Sequence, residues 1–239
     1  MPSHALAAQP QGPISPLMDD VKSIEEYQKA AAAGDVRAQN TLGAMLAEGF
    51  GSVVKDDVQA VEWFRKAAAF GYAVAQLNLG HMHAIGRGGL TQDDTKAVEL
   101  FRKAAAQGDA DALYNLGVTY EEGRGVAKDE VKAVEWYREA VACGHGDAHC
   151  NLGAMYEEGR GVAKDEVKAV ELYRKVAEQG HANAQCDLGF MHAQGRGGLT
   201  QDDAKAIELW RTAAAAGNAP AQHNLDIMRS HGRSSPKIV

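Results

Sequence analysis

The sequence predicts an all-α fold: a right-handed α/α superhelical solenoid of about five two-helix repeats with a C-terminal capping helix. One phrase recurs along the 239-residue chain at intervals of 36 or 37 residues, and its copies begin at Ala38, Ala75, Ala112, Ala148, Ala184 and Ala221. Repetition at a period of about 20–50 residues is typical of solenoids and propellers. Apolar residues within each phrase follow helical spacing, and no segment alternates like a β-strand, which excludes a propeller.

The third copy shows how one phrase encodes two helices. Leu116 and Tyr120 lie four residues apart, which places them on one face of a short helix, and Gly123 is placed to end it. Asp129 follows as the N-cap of a second helix, which Gly144 ends. The repeating unit is therefore a helical hairpin.

The same reasoning divides the chain. In the first full copy it predicts helices over residues 38–48 and 56–70. It predicts a disordered leader over residues 1–18, a solenoid over 19–231 with repeats starting near 38, 75, 112, 148 and 184, a capping helix over 220–230, and a disordered tail over 232–239.

Two further features recur with the repeat. A glycine lies inside each first helix, at Gly43, Gly80, Gly117, Gly153 and Gly189. Because a mid-helix glycine costs about 1 kcal/mol relative to alanine, we expect the partner helix to cross there at close range. The second helices carry Glu and Arg three residues apart, as at Glu99 and Arg102, and these pairs are interpreted as a solvated outer face.

Composition narrows the classes of partner. The chain has 25 Lys and Arg against 32 Asp and Glu, a net charge of −7, which argues against general binding to nucleic acid or to an anionic membrane surface. No apolar run is long enough to span a membrane. The N-terminus has no basic start followed by an apolar segment, so a cytoplasmic location is predicted, although an exported chain whose signal had been removed would look the same.

These motifs carry a resemblance to a known family. The phrase A-x-x-x-L-G-x-x-Y-x-x-G-x-G-V-x-x-D-x-x-K-A-x-x-W-Y-x-x-A resembles the Sel-one-like repeat (SLR), a member of the tetratricopeptide-like helical repeat superfamily, over about residues 20–231. The segment EEGRGVAKDEVKAVE occurs identically at 121–135 and 157–171. The resemblance implies an α/α superhelix that acts as a non-catalytic scaffold or adaptor for other proteins.

Two motifs suggest an enzyme as the alternative. Ser52 and Lys55 fit the Ser-x-x-Lys pattern of β-lactamase-like hydrolases, but they fall in a loop between helices and no companion motif follows. Three cysteines, an odd number, argue against a disulfide framework. Cys143 and Cys150 flank His145, Asp147 and His149, five potential zinc ligands in one short segment, although each also fits an ordinary turn or helix position. A disulfide between Cys143 and Cys150 stays open as well. No cofactor is predicted.

The inner, concave face of the solenoid is the predicted binding surface. In tetratricopeptide grooves the first helices line this face, and the analogous positions here combine amide, apolar and acidic side chains: Asn78, Asn115, Asn151, Asp187, Asn224, Leu77, Tyr114, His81, Phe190, Glu122 and Glu158. The asparagines are either a clamp for a peptide backbone or bonds between neighbouring helices. The predicted partner is a protein or peptide with basic and apolar character.

Overall fold

The computed structural model describes residues 24–50 and 53–230, and these residues contain twelve α-helices. The helices are α1 (Ile24–Ala32), α2 (Val36–Glu48), α3 (Asp57–Ala69), α4 (Ala73–Ile85), α5 (Asp94–Ala105), α6 (Ala110–Glu122), α7 (Glu130–Ala142), α8 (Gly146–Glu158), α9 (Glu166–Ala177), α10 (Ala182–Gln194), α11 (Asp203–Ala215) and α12 (Ala219–Ser230). The predicted leader (1–18), the predicted tail (232–239) and Ser52 lie outside the described residues.

In chain order ten of these helices alternate as the first and second helices of five repeats, and four of the pairs pack as hairpins: α2 with α3, α4 with α5, α8 with α9, and α10 with α11. We call the first helix of each repeat the A helix (α2, α4, α6, α8 and α10) and the second the B helix (α3, α5, α7, α9 and α11). The predicted helices of the first copy are confirmed as Val36–Glu48 and Asp57–Ala69. Helices α1 and α12 stand before and after the pairs. The all-α helical-repeat fold class is therefore confirmed.

The described chain divides into two compact units. The N-terminal unit ends at Asp129 and the C-terminal unit begins at Glu130. Within each unit, consecutive helices pack on one another, as α2 does on α3 and α10 on α11. Each unit is thus a stack of helical hairpins, the arrangement of an α-solenoid.

Polar and glycine residues set the helix boundaries. Four B helices begin after an aspartate whose carboxylate accepts the backbone N–H three residues later, as Asp93 does from Lys96 at 2.8 Å. The other three are Asp56, Asp165 and Asp202. The A helices end at a glycine in the left-handed region, for example Gly86 at φ 67°. Only glycine adopts this conformation without a steric penalty, so the loop position requires it.

The glycine inside the A helix makes room for an aromatic ring. A Cβ atom added at Gly153 would lie 2.4 Å from Cε1 of Tyr173, and one added at Gly43 would lie 2.7 Å from Cε1 of Phe64. Gly80 and Gly189 meet Phe101 and Trp210 in the same way. The predicted close approach is confirmed at these four positions, and a B-helix side chain makes it.

The Gly-Arg-Gly loop after an A helix joins successive repeats. Arg87 reaches back to the first turn of the preceding B helix, where its Nε donates to Asp57 Oδ2 at 3.0 Å, and its Nη2 donates to the carbonyl of Ala47 at 2.9 Å. A Cβ added at the next residue, Gly88, would lie 2.3 Å from the Asp57 carbonyl oxygen. The loop is therefore a structural bond between hairpins as well as a helix terminator.

The Glu and Arg residues spaced three apart on the B helices include exposed arginines, as predicted, but two of these arginines also bond the next helix. Glu99 pairs with Lys96 at 2.8 Å, while Arg102 Nη2 donates to the Tyr120 hydroxyl at 2.7 Å. Arg138 donates to the Tyr156 hydroxyl at 2.8 Å in the same way. In each case a B-helix arginine bonds the next A helix, a contact that spacing within one helix does not reveal.

Candidate partner-binding surface

The A helices are enclosed far more than the B helices. Residues 75–82 of α4 are buried without interruption, and so are residues 112–117 of α6. The B helices bury one stripe and expose the other, as amphipathic surface helices do. Any A-helix side chain that stays partly exposed is therefore a candidate contact for a partner.

In the N-terminal unit the predicted asparagines are buried and bonded within the chain. Asn78 is 4% exposed, and its Nδ2 donates to Asn40 Oδ1 on the preceding A helix at 3.0 Å. Asn115 is 7% exposed, and its Nδ2 donates to the carbonyl of Asp111 at 2.7 Å. The position that supplies the acceptor Asn40 in the first repeat holds the apolar Leu77 in the second, and Asn115 instead meets the His81 side chain of the preceding A helix.

Of the other residues predicted to bind a partner in that unit, three are buried and one is exposed. Leu77, His81 and Tyr114 are buried, and the His81 ring meets the Phe101 ring edge-on with centroids 5.2 Å apart. Burial lowers the pKa of His81 to about 4, so its ring is neutral at pH 7. Glu122 is exposed and lies 3.4 Å from Arg124.

The C-terminal unit keeps its equivalent column partly exposed. Asn151, Asp187 and Asn224 are all half-buried, on α8, α10 and α12. Asn151 Nδ2 donates to the Tyr137 hydroxyl at 3.1 Å, and Asn224 Nδ2 donates to Cys186 Sγ at 3.7 Å. The amides of Asn78, Asn151 and Asn224 thus donate to neighbouring helices, whereas that of Asn115 donates within its own helix.

An apolar column lies one helical turn further along the same helices. Phe190 is half-buried, and the Arg196 guanidinium carbon lies 6.0 Å from its ring centroid. Ile227 is 40% exposed and occupies the equivalent position of α12. The sequence reasoning missed Ile227, although it directly follows Asp226, which aligns with the repeat glycines. Helix α12 takes the place of an A helix after the last repeat, so we give one name, the A-helix face, to these residues of α8, α10 and α12: Asn151, Ala154, Asp187, Phe190, Asn224 and Ile227.

The acidic side chains near this face differ in whether an arginine pairs with them. Glu158 pairs with Arg160. Glu157 Oε2 accepts a hydrogen bond from the Tyr173 hydroxyl at 3.0 Å, and its Oε1 lies 2.8 Å from Arg196 Nη1. Burial, and then the Glu157 carboxylate, raise the pKa of Asp187 to about 7, whereas His181 acts in the opposite direction.

One constellation in the C-terminal unit has the layout of a cysteine nucleophile with its base. Cys150 Sγ lies 3.7 Å from His181 Nδ1, and His181 Nε2 lies 3.2 Å from Asp147 Oδ1. A reactive cysteine needs a lowered thiol pKa and access to substrate. Cys150 is 7% exposed, and burial together with Asp187 and Asp147 raises its pKa well above the usual value. The surroundings of Cys150 therefore disfavour the thiolate form that a nucleophilic cysteine needs.

The predicted zinc ligands do not converge. Within residues 24–50 and 53–230, no group of three or more His, Cys, Asp or Glu side chains has the geometry to hold a metal ion. His145 Nδ1 instead accepts the Ala148 backbone N–H at 3.2 Å as the N-cap of α8. Cys143 is exposed, Cys150 is buried, and both are free thiols. Their ligand-like spacing reflects a turn followed by a helix start.

Comparisons with known proteins agree with this architecture. The Sel1 repeat profile matches residues 11–35, 36–72, 73–109, 110–145, 146–181 and 182–218. Five of these segments each contain one A helix, the following B helix and their connecting loops. A search of curated proteins finds no significant match.

Several solved structures are similar along most of the chain. The Sel1 repeat protein of Oxalobacter formigenes has 33% identity and a TM-score of 0.80, over 89% of this chain and 87% of that one. The protective antigen c5321 of uropathogenic Escherichia coli, which has an SLR fold, has 36% identity and a TM-score of 0.78, over 90% of this chain but only 45% of that one. This chain thus spans less than half of that antigen.

A more distant relative shows the same fold. A Klebsiella pneumoniae protein described as a putative sel1 repeat protein has 25% identity and a TM-score of 0.56, over 87% of this chain and 100% of that one. Repeat profile, identity and structure agree over nearly the whole described chain. The chain therefore belongs to the Sel1-repeat family.

Proposed function

We propose that the chain is a non-catalytic scaffold that binds a protein or peptide through the A-helix face of its C-terminal unit. Proteins of the Sel1-repeat family are commonly protein-interaction scaffolds. The observation that carries the proposal is the half-exposed row of amide, carboxylate and apolar side chains that the largely buried A helices α8 and α10 form with the terminal helix α12. Rigid helices that present such a mixed row suit recognition of another chain.

The class of partner follows from charge and helix length. The chain is acidic overall, at −7, which disfavours nucleic acid. None of the described helices is both long enough and apolar enough to cross a membrane. A polypeptide with basic and apolar side chains therefore remains the best match to the surface.

Site-specific photo-crosslinking in cells of the source organism tests this function. A photoreactive phenylalanine analogue replaces Ala154 on the A-helix face in one variant, and Glu171 on the exposed stripe of α9 in a matched control. We expect adducts with another protein from position 154 and none from position 171. Adducts from position 171 alone, or from neither position, contradict the proposal.

The enzyme alternative has a separate test. Cys150 with His181 is the arrangement closest to a catalytic pair, so a cysteine-directed vinyl sulfone probe is applied to the folded chain and to Cys150→Ala. We expect labelling of the exposed Cys143 in both proteins, with none at Cys150. Rapid labelling of Cys150 that depends on His181 would favour a cysteine enzyme over a scaffold.

A further inference from the structure

Helix α10 departs from the other A helices at two positions on one face. Position 187 carries Asp, whereas Asn occupies the equivalent positions 78, 115, 151 and 224. Position 190 carries the large apolar ring of Phe, half-buried, whereas the equivalent positions 44, 118 and 154 carry Ala or Val and position 81 carries a buried His. Because residues three apart on a helix are neighbours, this helix places a carboxylate beside an aromatic ring.

The neighbouring helices extend this pair into a surface. Helices α8 and α10 are in contact, and the hydrogen bond between Asn224 and Cys186 joins α12 to α10. In the repeat order, Asp187 stands between Asn151 and Asn224. Phe190 stands between the small Ala154 and the exposed Ile227. The result is an apolar strip edged by one carboxylate and two amides.

No Lys or Arg of the described residues pairs with the Asp187 carboxylate, and the nearby His181 imidazole is the group that favours its charged form. Among the described residues it makes no hydrogen bond or ion pair, whereas its neighbour Glu157 is held by Tyr173 and Arg196. A half-buried carboxylate without a partner is costly, which its raised pKa of about 7 reflects. Asparagine, the residue of the other repeats, would avoid that cost, so the carboxylate is best explained by a cation that arrives from outside.

We propose that Asp187, Phe190 and Ile227 form the docking site for a peptide segment of a partner protein that carries a Lys or Arg side chain next to a large apolar side chain. The cationic group pairs with Asp187, and the apolar side chain packs on Phe190 and Ile227. The two amides flank the peptide path. This inference rests on the proposed function and specifies the partner's chemistry.

An array of blocked nonapeptides tests the site directly. Arg, Lys, Gln or Glu at the centre is combined with Leu or Ser on either side, and the full chain is applied at pH 8, where Asp187 is ionised. We expect binding to peptides that combine Arg or Lys with Leu, and at least about tenfold weaker binding when Gln replaces the cation. Binding that ignores the central charge overturns the inference.

Three variants assign the binding to residues. Asp187→Asn supplies the residue of the other repeats and should weaken binding about tenfold or more, as should Phe190→Ala, which supplies the residue of position 154. Glu171→Gln removes a carboxylate from the exposed stripe of α9 and should leave affinity unchanged. Equal losses in Glu171→Gln and Asp187→Asn would show a general charge effect and overturn the site.

Two other occupants of this face would each give a different experimental result. If a second copy of the chain occupies this face, the protein is a homo-oligomer in sedimentation and Asp187→Asn dissociates it. If residues 1–23 of the chain occupy the face, deletion of these residues raises the affinity for the peptides at least tenfold. Either result replaces the proposed occupant. If no peptide of this class binds while position 154 still crosslinks to a protein, the inference fails and the scaffold function stands. If no peptide binds and position 154 forms no crosslink to a protein, both the inference and the proposed function are wrong.

Discussion

At the scale of single residues, Asp187 shows how one substitution within a repeat changes what a position does. Asn78 and Asn224 use their amides to bond a neighbouring A helix. Asp187 at the equivalent position cannot donate when ionised, so it leaves a negative charge in a half-buried place. The groups around it are Glu157 and Cys150 from α8, Tyr173 from α9, and His181 and Cys186 at the start of and within α10.

This charge should make stability depend on pH. The folded-state pKa of Asp187, about 7, lies above its usual value of 3.8, so its stabilising effect is full below pH 3.8 and lost as the pH rises through 7. One pKa unit corresponds to about 1.4 kcal/mol, and we expect Asp187→Asn to gain at least that much free energy of unfolding at pH 8. Urea unfolding checks this. Near pH 4 the two proteins should be equally stable, and an equal gain at both pH values would contradict the charge argument.

At the scale of the helical element, an aromatic ring of the B helix packs over the A-helix glycine in four hairpins and sets their spacing. A methyl group at Gly153 has no room, because its Cβ would lie 2.4 Å from Tyr173 Cε1. Gly153→Ala should therefore destabilise the chain by about 1–3 kcal/mol, even though alanine favours the helix.

A double-mutant cycle separates crowding from other effects. Combining Gly153→Ala with Tyr173→Leu removes the ring, so the cost of alanine should largely disappear in that background. Chemical unfolding of the four proteins gives the coupling free energy. Additive effects of the two substitutions would mean that the ring does not set the packing at this glycine.

The sequence predicts the elements well because their signals are local. Helical spacing, the Asp caps and the terminating glycines all act within one hairpin, and the predicted helices of the first copy are confirmed within a few residues. The contacts that shape the site act between hairpins. Asn78 donates to the preceding repeat whereas Asn115 donates within its own helix, and Arg102 bonds Tyr120 across 18 residues. Helical period alone carries no information about such pairs, so the accessible part of the predicted surface could not be identified.

At the scale of the whole molecule, the described chain is two compact units of stacked hairpins whose stability should be distributed along the sequence. Helix α12 covers the last hairpin, where Leu225 and Met228 join the cluster around Trp210. Trp63 belongs to the first hairpin of the N-terminal unit. The two tryptophans therefore report on different ends of the chain.

Removing α12 should damage one end selectively. Deletion of residues 219–239 should lower the urea midpoint followed through Trp210 and leave that of Trp63 nearly unchanged, because each repeat stabilises mainly its neighbours. Fluorescence of variants that retain Trp63 or Trp210 alone measures the two midpoints. A common shift of both would show that the chain unfolds as one cooperative body.

The Gly-Arg-Gly loop has a consequence for how such a gene can change length. Arg87 contacts a residue 30 positions back, Arg138 one 18 positions ahead and Asn78 one 38 positions back, so these bonds reach no further than the adjacent repeat. Nearly identical stretches, such as 121–135 and 157–171, invite unequal recombination in the coding DNA. A crossover in register would add or delete one whole repeat, and the bonds of the new junction would involve only the repeats on either side of it. The number of repeats can therefore drift over generations while the fold of each survivor stays intact, which leaves the length of the surface open to selection.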